Sequence, residues 1–339
     1  MFCYPNCFID HFLQTEIQSI SLNNGTCDFC GSASQPLVNP KQLIDRFEPL
    51  LDLYRSDPFG KNLITLLQDD WNIFQTFSTE LQTELLLQVS GNSNNLNERY
   101  SARFLKDVNN LQRWEDFREE LKFRNRFFPS NAPGIDHLMP FGKHLGRRAT
   151  IDSQVFYRAR TNNSCTLFTP DDMRKPPKDK AINGRANPLG ISYLYVASDV
   201  DTAISEIRPH KGERVTIAEF KMLQDLELAD LRDPKESISP FQLNDDNELE
   251  LIYKNLSYLT MLGNELSKPI IPQRVNLEYL PSQYLCELIK QIGFHGIIYK
   301  SSVSSGNNFV IFNDERLDVV SCSSYEIIDT KIYSKKLDQ

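Results

Sequence analysis

Two closely spaced pairs of cysteines stand near the start of the sequence, Cys3 with Cys7 and Cys27 with Cys30. Cys-x3-Cys followed by Cys-x2-Cys offers four thiolates on two short chelating loops, a donor set that tetrahedral zinc prefers. Four thiolates leave no open coordination position, so we predict a structural zinc ion, with His11 as a substitute ligand. The alternative is four thiols that pack in a small motif, because free cysteine is readily buried.

Three polar segments of the second half carry further groups that suit a ligand. The first, from Asn183 to Pro188, is rich in turn-forming residues and presents the guanidinium of Arg185 ahead of an apolar run. A forked donor on a loop suits a pyrophosphate or another planar anion. The alternative is an arginine that is merely solvated.

The second segment, from Ser198 to Arg208, is typical of a short helix that carries a carboxylate. Ser198 can cap the first turn and Asp201 can close the capping box. Glu206 follows near the helix end, next to an apolar side, so we expect it to lie close to a sheet. The alternative is a surface carboxylate paired with Arg208 or Lys211.

The third segment runs from Tyr299 to Phe309 and joins the end of one apolar run to the start of another. It is rich in serine and asparagine, and Ser301 and Ser302 come first. Such a loop offers hydroxyl and amide donors to a polar ligand. The alternative is a turn that satisfies only its own hydrogen bonds.

The elements that must position these groups change in type near residue 150. From Lys41 to Phe128, apolar residues recur at helical spacing and predict helices, with breaks at Asp57-Pro58, 91–95 and 129–134. One helix is expected from Leu63 to Phe77 and another from Tyr100 to Leu121. Charges of both signs in the run 113–126 indicate a solvated helix face.

After residue 149 the pattern becomes mixed. Short runs rich in β-branched and aromatic residues predict strands at Phe156–Arg160, Tyr193–Val196, Val215–Phe220, Gly296–Tyr299 and Phe309–Phe312. Helices are predicted between them at Val200–Arg208 and Tyr284–Ile292, and a long loop at Thr169–Pro188. We therefore predict an α+β protein with a zinc-binding motif at 1–35, a helical domain at 36–145 and a mixed α/β domain at 146–330.

Composition excludes some classes of function. The net charge of −8 gives no support for a broad phosphate-binding surface, so a nucleic-acid partner is not expected. We see neither a leader-like start nor an apolar run near the ~18 residues that span a bilayer, and we expect a cytoplasmic protein without a membrane partner. In that compartment the seven cysteines are expected as thiols, not as a disulfide framework.

The order of the motifs between Val155 and Asn313 resembles the RES family, named for its arginine, glutamate and serine. The motifs are Tyr-Arg, Gly-Arg-x-Asn-Pro-x-Gly, Tyr-Leu-Tyr-x-Ala, Ala-x-x-Glu, Gly-Ile-Ile-Tyr-x-Ser-Ser and Asn-x-Val-x-Phe. The cysteine pairs and the helices after them resemble, more loosely, an N-terminal domain attached to some RES proteins. The chain departs from the pattern at Ala186, where many members carry an aromatic residue, and at Lys300, where others have proline.

This resemblance implies an ADP-ribosyltransferase-like fold and an enzyme that degrades NAD, frequently as the toxin of a toxin–antitoxin pair. It assigns catalysis to Arg185, Tyr195, Glu206 and Ser301. It assigns substrate binding to Arg158, Tyr193, Ser302 and Asn308. The glutamate would stabilise charge on the ribose, the arginines would hold the pyrophosphate, and the tyrosine would pack on the nicotinamide or ribose. The choice between Ser301 and Ser302 stays open.

The implied reaction is cleavage of the nicotinamide–ribose bond by a glycohydrolase or a phosphorylase, with NAD as substrate and zinc as a structural ion. An antitoxin or regulatory protein is the expected partner. One alternative is transfer of ADP-ribose to a macromolecule. Another is a zinc-stabilised binding or sensing module with an inactive RES-like domain, although retention of the arginine, tyrosine, glutamate and serine argues against it.

Overall fold

The computed structural model describes residues 1–75, 78–91, 98–151, 153–162, 167–243 and 245–331, so the break expected at 92–95 lies outside the described residues. The helices are α1 His11–Ile20, α2 Ile44–Leu51, α3 Leu63–Trp71, α4 Thr79–Ser90, α5 Val108–Phe123, α6 Ile135–Leu145, α7 Val200–Ile207, α8 Pro234–Ser237, α9 Asp246–Ser267 and α10 Val275–Ile292. The strands are β1 Asn23–Gly25, β2 Gln35–Leu37, β3 Tyr54–Lys61, β4 Tyr100–Ala102, β5 Gly146–Ala149, β6 Val155–Thr161, β7 Leu194–Ala197, β8 Arg214–Met222, β9 Leu226–Asp230, β10 Gly296–Lys300, β11 Asn307–Ile311 and β12 Leu317–Glu326. None of the helices in this part of the chain is both long and apolar enough to cross a membrane.

Two compact units make up the described chain, and their division does not follow the order of the sequence. One unit joins Met1–Leu111 to Asp233–Thr260, and the other joins Gln112–Arg232 to Met261–Gln339. Two of the three boundaries therefore fall inside helices, in α5 and α9, and the third lies between β9 and α8. As domains, the expected segments 1–35, 36–145 and 146–330 stay predictions.

Aromatic side chains from both segments form the core of the first unit. The ring of Phe8 lies 5.9 Å from that of Phe47, which in turn lies 4.9 Å from the ring of Phe241. The ring of Tyr253 packs 6.4 Å from Trp71. Large aromatic groups supply most of the apolar area that a small core can bury, so Asp233–Thr260 completes this core.

The predicted helices of the first 128 residues are present, but the region also contains strands that were not predicted. Strand β3 spans the Asp57-Pro58 pair that we interpreted as a break, and β3 pairs antiparallel with β4. The helix expected from Tyr100 therefore begins only at Val108. The helix expected at Leu63–Phe77 ends at Trp71, because Asn72 adopts a left-handed conformation, and Phe77 lies outside the described residues.

The charged run 113–126 is solvated on one side only. Arg113 and Glu115 are exposed, whereas Trp114 and Phe117 are fully buried. A charge-rich sequence therefore conceals an amphipathic helix, because the two large aromatic residues dominate the free energy of burial.

The second unit is built on an eight-stranded sheet in the order β12-β8-β6-β7-β11-β10-β9-β5. Neighbouring strands are antiparallel except β9 and β10, which run parallel. Every strand predicted after residue 149 is present, and β5, β9 and β12 were not predicted. The mixed α and β character expected for this half is confirmed, with Phe156, Phe220 and Phe309 in the core on one face of the sheet.

The short helix α7 packs on the opposite face through small side chains. Ala203 of the helix lies in one apolar cluster with Ala159 and Ala197 of the sheet. The capping prediction was wrong by one residue: Asp199 is the N-cap, and its Oδ1 accepts the backbone N–H of Thr202 at 2.7 Å. Ser198, the residue after β7, instead donates its hydroxyl to Asp199 Oδ2 at 2.7 Å.

Replacement of Phe241 by alanine tests whether the inserted segment supports the N-terminal core. Phe241 is buried against Phe47, so Phe241→Ala should cost about 3–5 kcal/mol of stability in this unit. Hydrogen exchange should show loss of protection in α2. Phe59→Ala is the matched control, because Phe59 is 95% exposed in the same unit. Unchanged protection of α2 would contradict the shared core.

Candidate active site

A cavity of about 270 Å³ opens between α7 and the sheet of the second unit. Its volume lies near the lower end of the ~300–1,000 Å³ typical of small-molecule pockets, so it suits a small ligand or one part of a larger ligand. The lining residues are Tyr157, Arg158, Ala159, Tyr195, Val196, Ala197, Ala203, Glu206, Ile207, Tyr299 and Asn308. The cavity thus combines aromatic rings with one carboxylate, one amide and one guanidinium.

Glu206 is held by donors from two other segments of the chain. Its Oε1 accepts the hydroxyl of Ser301 at 2.7 Å and the side-chain amide of Asn308 at 2.5 Å. Neither donor bonds Oε2, and among the described residues Oε2 has no hydrogen-bond partner. The carboxylate is therefore fixed in rotation with one oxygen left for a ligand in the cavity.

The proton of the Ser301 hydroxyl has a defined direction. Ser301 Oγ accepts the backbone N–H groups of Val303 at 3.2 Å and Ser304 at 3.1 Å. A hydroxyl has two acceptor lone pairs and one proton, so these contacts leave the proton for Glu206. Ser301, and not Ser302, makes this contact with Glu206.

The loop that carries Ser301 is tied to the start of α7. The buried Thr202 hydroxyl lies 2.9 Å from the Ser304 hydroxyl and donates to Asp199 Oδ2 at 2.8 Å. A side chain at Gly306 would collide with Thr202 and Asp199, so this close approach requires glycine. The serine donor and the helix with its glutamate are therefore held together.

Tyr195 lines the cavity with its ring, while its hydroxyl holds the segment that carries Arg185, the arginine loop (residues 183–188). The hydroxyl donates to Asn187 Oδ1 at 2.6 Å and accepts the backbone N–H of Ala186 at 3.0 Å. Burial raises the pKa of Tyr195 well above its ordinary value, so the hydroxyl keeps the proton that it donates. This oxygen is already engaged by the protein.

Arg185 is not among the residues that line the cavity. Its Nη1 donates to the backbone carbonyl of Lys268 at 2.8 Å, and its guanidinium lies 5.7 Å from the ring centre of Tyr279. Lys268 is in turn paired with Glu265 at 2.9 Å. These contacts come from the end of α9 and from α10, and they fix the orientation of the guanidinium.

Arg158, unlike Arg185, lines the cavity. Its Nη1 is buried with no hydrogen-bond partner among the described residues. Burial, followed by the charge of Arg160, lowers the pKa of Arg158 to about 10, so the group stays protonated at neutral pH. A buried guanidinium nitrogen without a partner is costly unless a ligand supplies the acceptor.

Comparison with known proteins bears on this arrangement. The model of the RES domain family matches residues 155–329, just over half of the chain. The chain belongs to the RES domain family. No curated protein matches it. Among solved structures, it is similar to the M. tuberculosis MbcT-MbcA toxin-antitoxin complex, with 12% identity and a TM-score of 0.33 over 56% of this chain and 91% of that chain.

Membership of the family confirms the resemblance found in the sequence, and the structure shows where the RES residues lie. Tyr195, Glu206, Arg158 and Asn308 meet at the cavity, and Ser301 reaches it through Glu206. Tyr193 does not line the cavity; its ring is buried 4.8 Å from that of Phe312.

Sequence reasoning missed two tyrosines of the RES domain cavity. Tyr299 lies directly opposite Asn308 in the β10–β11 pair, and Tyr157 lies opposite Ala197 in the β6–β7 pair. Burial, followed by the charge of Glu206, raises the pKa of Tyr299 above its ordinary value. The alternation of side chains along a strand was the signal that could have found both, because paired residues share a face.

The cysteines of the first unit form a cluster. The Sγ atoms of Cys7, Cys27 and Cys30 all lie within 4.8 Å of one another, with 3.4 Å between Cys7 and Cys27 and 3.9 Å between Cys7 and Cys30. Cys3 is fully buried, but its sulfur is not within that distance of all three. The backbone N–H of Phe29 points to Cys27 Sγ at 3.4 Å, and such a donor stabilises a thiolate.

Replacement of Tyr195 by phenylalanine tests its role in the arginine loop of the RES domain. The change keeps the ring but leaves the Ala186 N–H and Asn187 Oδ1 without this partner, at about 1–3 kcal/mol for each buried group. Thermal unfolding should shift down by several degrees. Tyr157→Phe is the control, because the Tyr157 hydroxyl bonds none of the described residues. Equal melting temperatures for the two variants would argue against a stabilising role for the Tyr195 hydroxyl.

Proposed function

We propose that the RES domain of this chain binds NAD in the cavity and cleaves the bond between nicotinamide and ribose. The observation that carries this proposal is the Glu206 carboxylate, which lines the cavity with Oε1 engaged by two protein donors and Oε2 left for a ligand. A carboxylate in this state can bind ribose hydroxyls and stabilise positive charge that develops on the ribose.

The chemistry follows from where the charge moves. When the glycosidic C–N bond breaks, its electron pair goes to the nicotinamide nitrogen, which leaves as neutral nicotinamide, and the ribose acquires oxocarbenium character. An oriented carboxylate lowers the free energy of that transition state, as in glycoside hydrolysis. Water then adds to give ADP-ribose and a proton, or phosphate adds to give a phosphorylated ADP-ribose.

The other cavity residues suit the remaining parts of the substrate. The rings of Tyr157, Tyr195 and Tyr299 offer apolar walls for a planar base and a sugar. The unpartnered Nη1 of Arg158 suits a pyrophosphate oxygen. Arg185 was expected to hold the pyrophosphate; its contacts with Lys268 and Tyr279 favour a role in shaping the neighbouring loop.

Product analysis tests the proposal and separates its alternatives. Purified full-length protein is incubated with NAD, with and without phosphate, and the products are identified by mass spectrometry. Free ADP-ribose indicates hydrolysis, a phosphorylated product indicates phosphorolysis, and a modified macromolecule indicates transfer. Intact NAD under all conditions would overturn the proposal.

Replacement of Glu206 by glutamine should lower the rate of NAD cleavage by about 100-fold or more, because the neutral amide cannot stabilise the developing charge. Asp201→Asn is the matched control, since Asp201 is an exposed carboxylate on the same helix. Initial rates of nicotinamide release measure the effect. Comparable rates for the two variants would remove Glu206 from the mechanism.

We propose further that the cysteine cluster holds one structural zinc ion. Zn–S bonds of about 2.3 Å in a tetrahedron place sulfurs about 3.8 Å apart, and two of the sulfur pairs here are separated by 3.4 and 3.9 Å. Cys7, Cys27 and Cys30 would be ligands, and the buried Cys3 is the candidate for the fourth position.

The expectation of an antitoxin or regulatory partner stays a prediction.

Metal analysis tests the zinc site. Cys27→Ser should lower zinc content and increase protease sensitivity near the N-terminus, because zinc binding contributes to local folding. Cys322→Ser is the control, because Cys322 lies on β12 of the other unit. Less than about a tenth of an equivalent of zinc in the wild-type protein after purification without chelators would overturn the site.

A further inference from the structure

Asn308 occupies a rigid position in the middle of the sheet. It lies on β11, where its backbone is paired with Ala197 of β7 on one side and Tyr299 of β10 on the other. Only 6% of the residue is exposed. Its side chain therefore has little freedom to adapt to a ligand that arrives and leaves.

The amide of Asn308 is committed to Glu206. Its Nδ2 donates to Oε1 at 2.5 Å, and only the NH₂ end of the amide can donate to a carboxylate, so the orientation of the amide follows from the contact. The hydroxyl of Ser301, in the loop after β10, donates to the same oxygen at 2.7 Å. Both donors act on the oxygen that faces the protein.

We propose that Asn308 is a positioning residue for Glu206 and not a contact for NAD. With Ser301 it forms a two-donor clamp that fixes the rotation of the carboxylate and keeps Oε2 available to the ribose. Ser301 belongs to a loop anchored on Thr202, at the start of the helix that ends near Glu206, so the clamp has one support on the sheet and one on the helix. This inference rests on the proposed function.

Steady-state kinetics distinguish positioning from binding. In Asn308→Ala, kcat should fall by about 10- to 100-fold, since a displacement of about 1 Å at a reacting group can cost 100-fold, while the KM for NAD should stay within about twofold. A raised KM with unchanged kcat would overturn the inference.

Two further variants keep the test interpretable. Ser301→Ala removes the other donor from a surface loop without altering the sheet, and it should give the same pattern of lowered kcat and unchanged KM. Asn307→Ala is the matched control, because Asn307 precedes Asn308 on the same strand and its backbone bond to Ser198 is retained. A Ser301→Ala variant with the wild-type kcat would contradict the clamp even if Asn308→Ala does not fold.

A measurement without turnover separates this inference from the proposed function. Crystal structures of the wild type and of both donor variants, all without NAD, compare the orientation of the Glu206 side chain. The clamp predicts one ordered carboxylate with Oε1 towards Ser301 and Asn308 in the wild type, and a rotated or multiply oriented carboxylate in each variant. An unchanged orientation in both variants overturns the clamp whether or not NAD is cleaved, whereas a displaced carboxylate in a protein that leaves NAD intact supports the clamp and refutes only the NAD reaction.

Discussion

The hydrogen bonds on one oxygen of Glu206 depend on three distant parts of the sequence. The helix α7 supplies the carboxylate, the loop after β10 supplies Ser301, and β11 supplies Asn308. These parts meet only if α7 lies close to the sheet, which the small side chains at their contact permit. They also require β11 between β7 and β10, the arrangement that the sheet adopts. The orientation of the Glu206 carboxylate therefore depends on the strand order of the second unit.

The strands and the helix nearest to Glu206 could be predicted because their patterns are local. Alternating aromatic and β-branched residues mark β6, β7 and β8, and apolar spacing marks α7. The edge strand β12 escaped prediction, because its exposed serines lack that alternation and it is held by pairing with β8. Strand β3 contains Pro58, which is tolerated where the strand has only one partner. Pairing with a distant strand determines whether such segments become strands, and a single sequence does not show which segments will pair.

The candidate site residues also divide into those that local motifs predict and those whose contacts depend on distant segments. Glu206 and Ser301 were predicted from motifs that resemble the RES family, and the structure brings them into contact. The contacts of Arg185 depend on the carbonyl of Lys268 and the ring of Tyr279, which no feature near Arg185 foreshadows. The same holds for the N-terminal core, which includes Phe241 from a segment inside the range that the RES family model matches. Contacts between residues this far apart in sequence carry no periodic signal.

The discontinuous first unit has a consequence for protein synthesis. A ribosome must pass Thr260 before all of the chain that forms this unit has been made, and by then Glu206 has been made as well. Ser301 and Asn308 are translated later, followed by β12 at the sheet edge. Domains tend to fold as their chain emerges, so the N-terminal core can close while the carboxylate still lacks its donors. A nascent chain released before residue 301 would contain Glu206 without either hydrogen-bond donor, and the lining of the cavity would be complete only after Asn308 has been made.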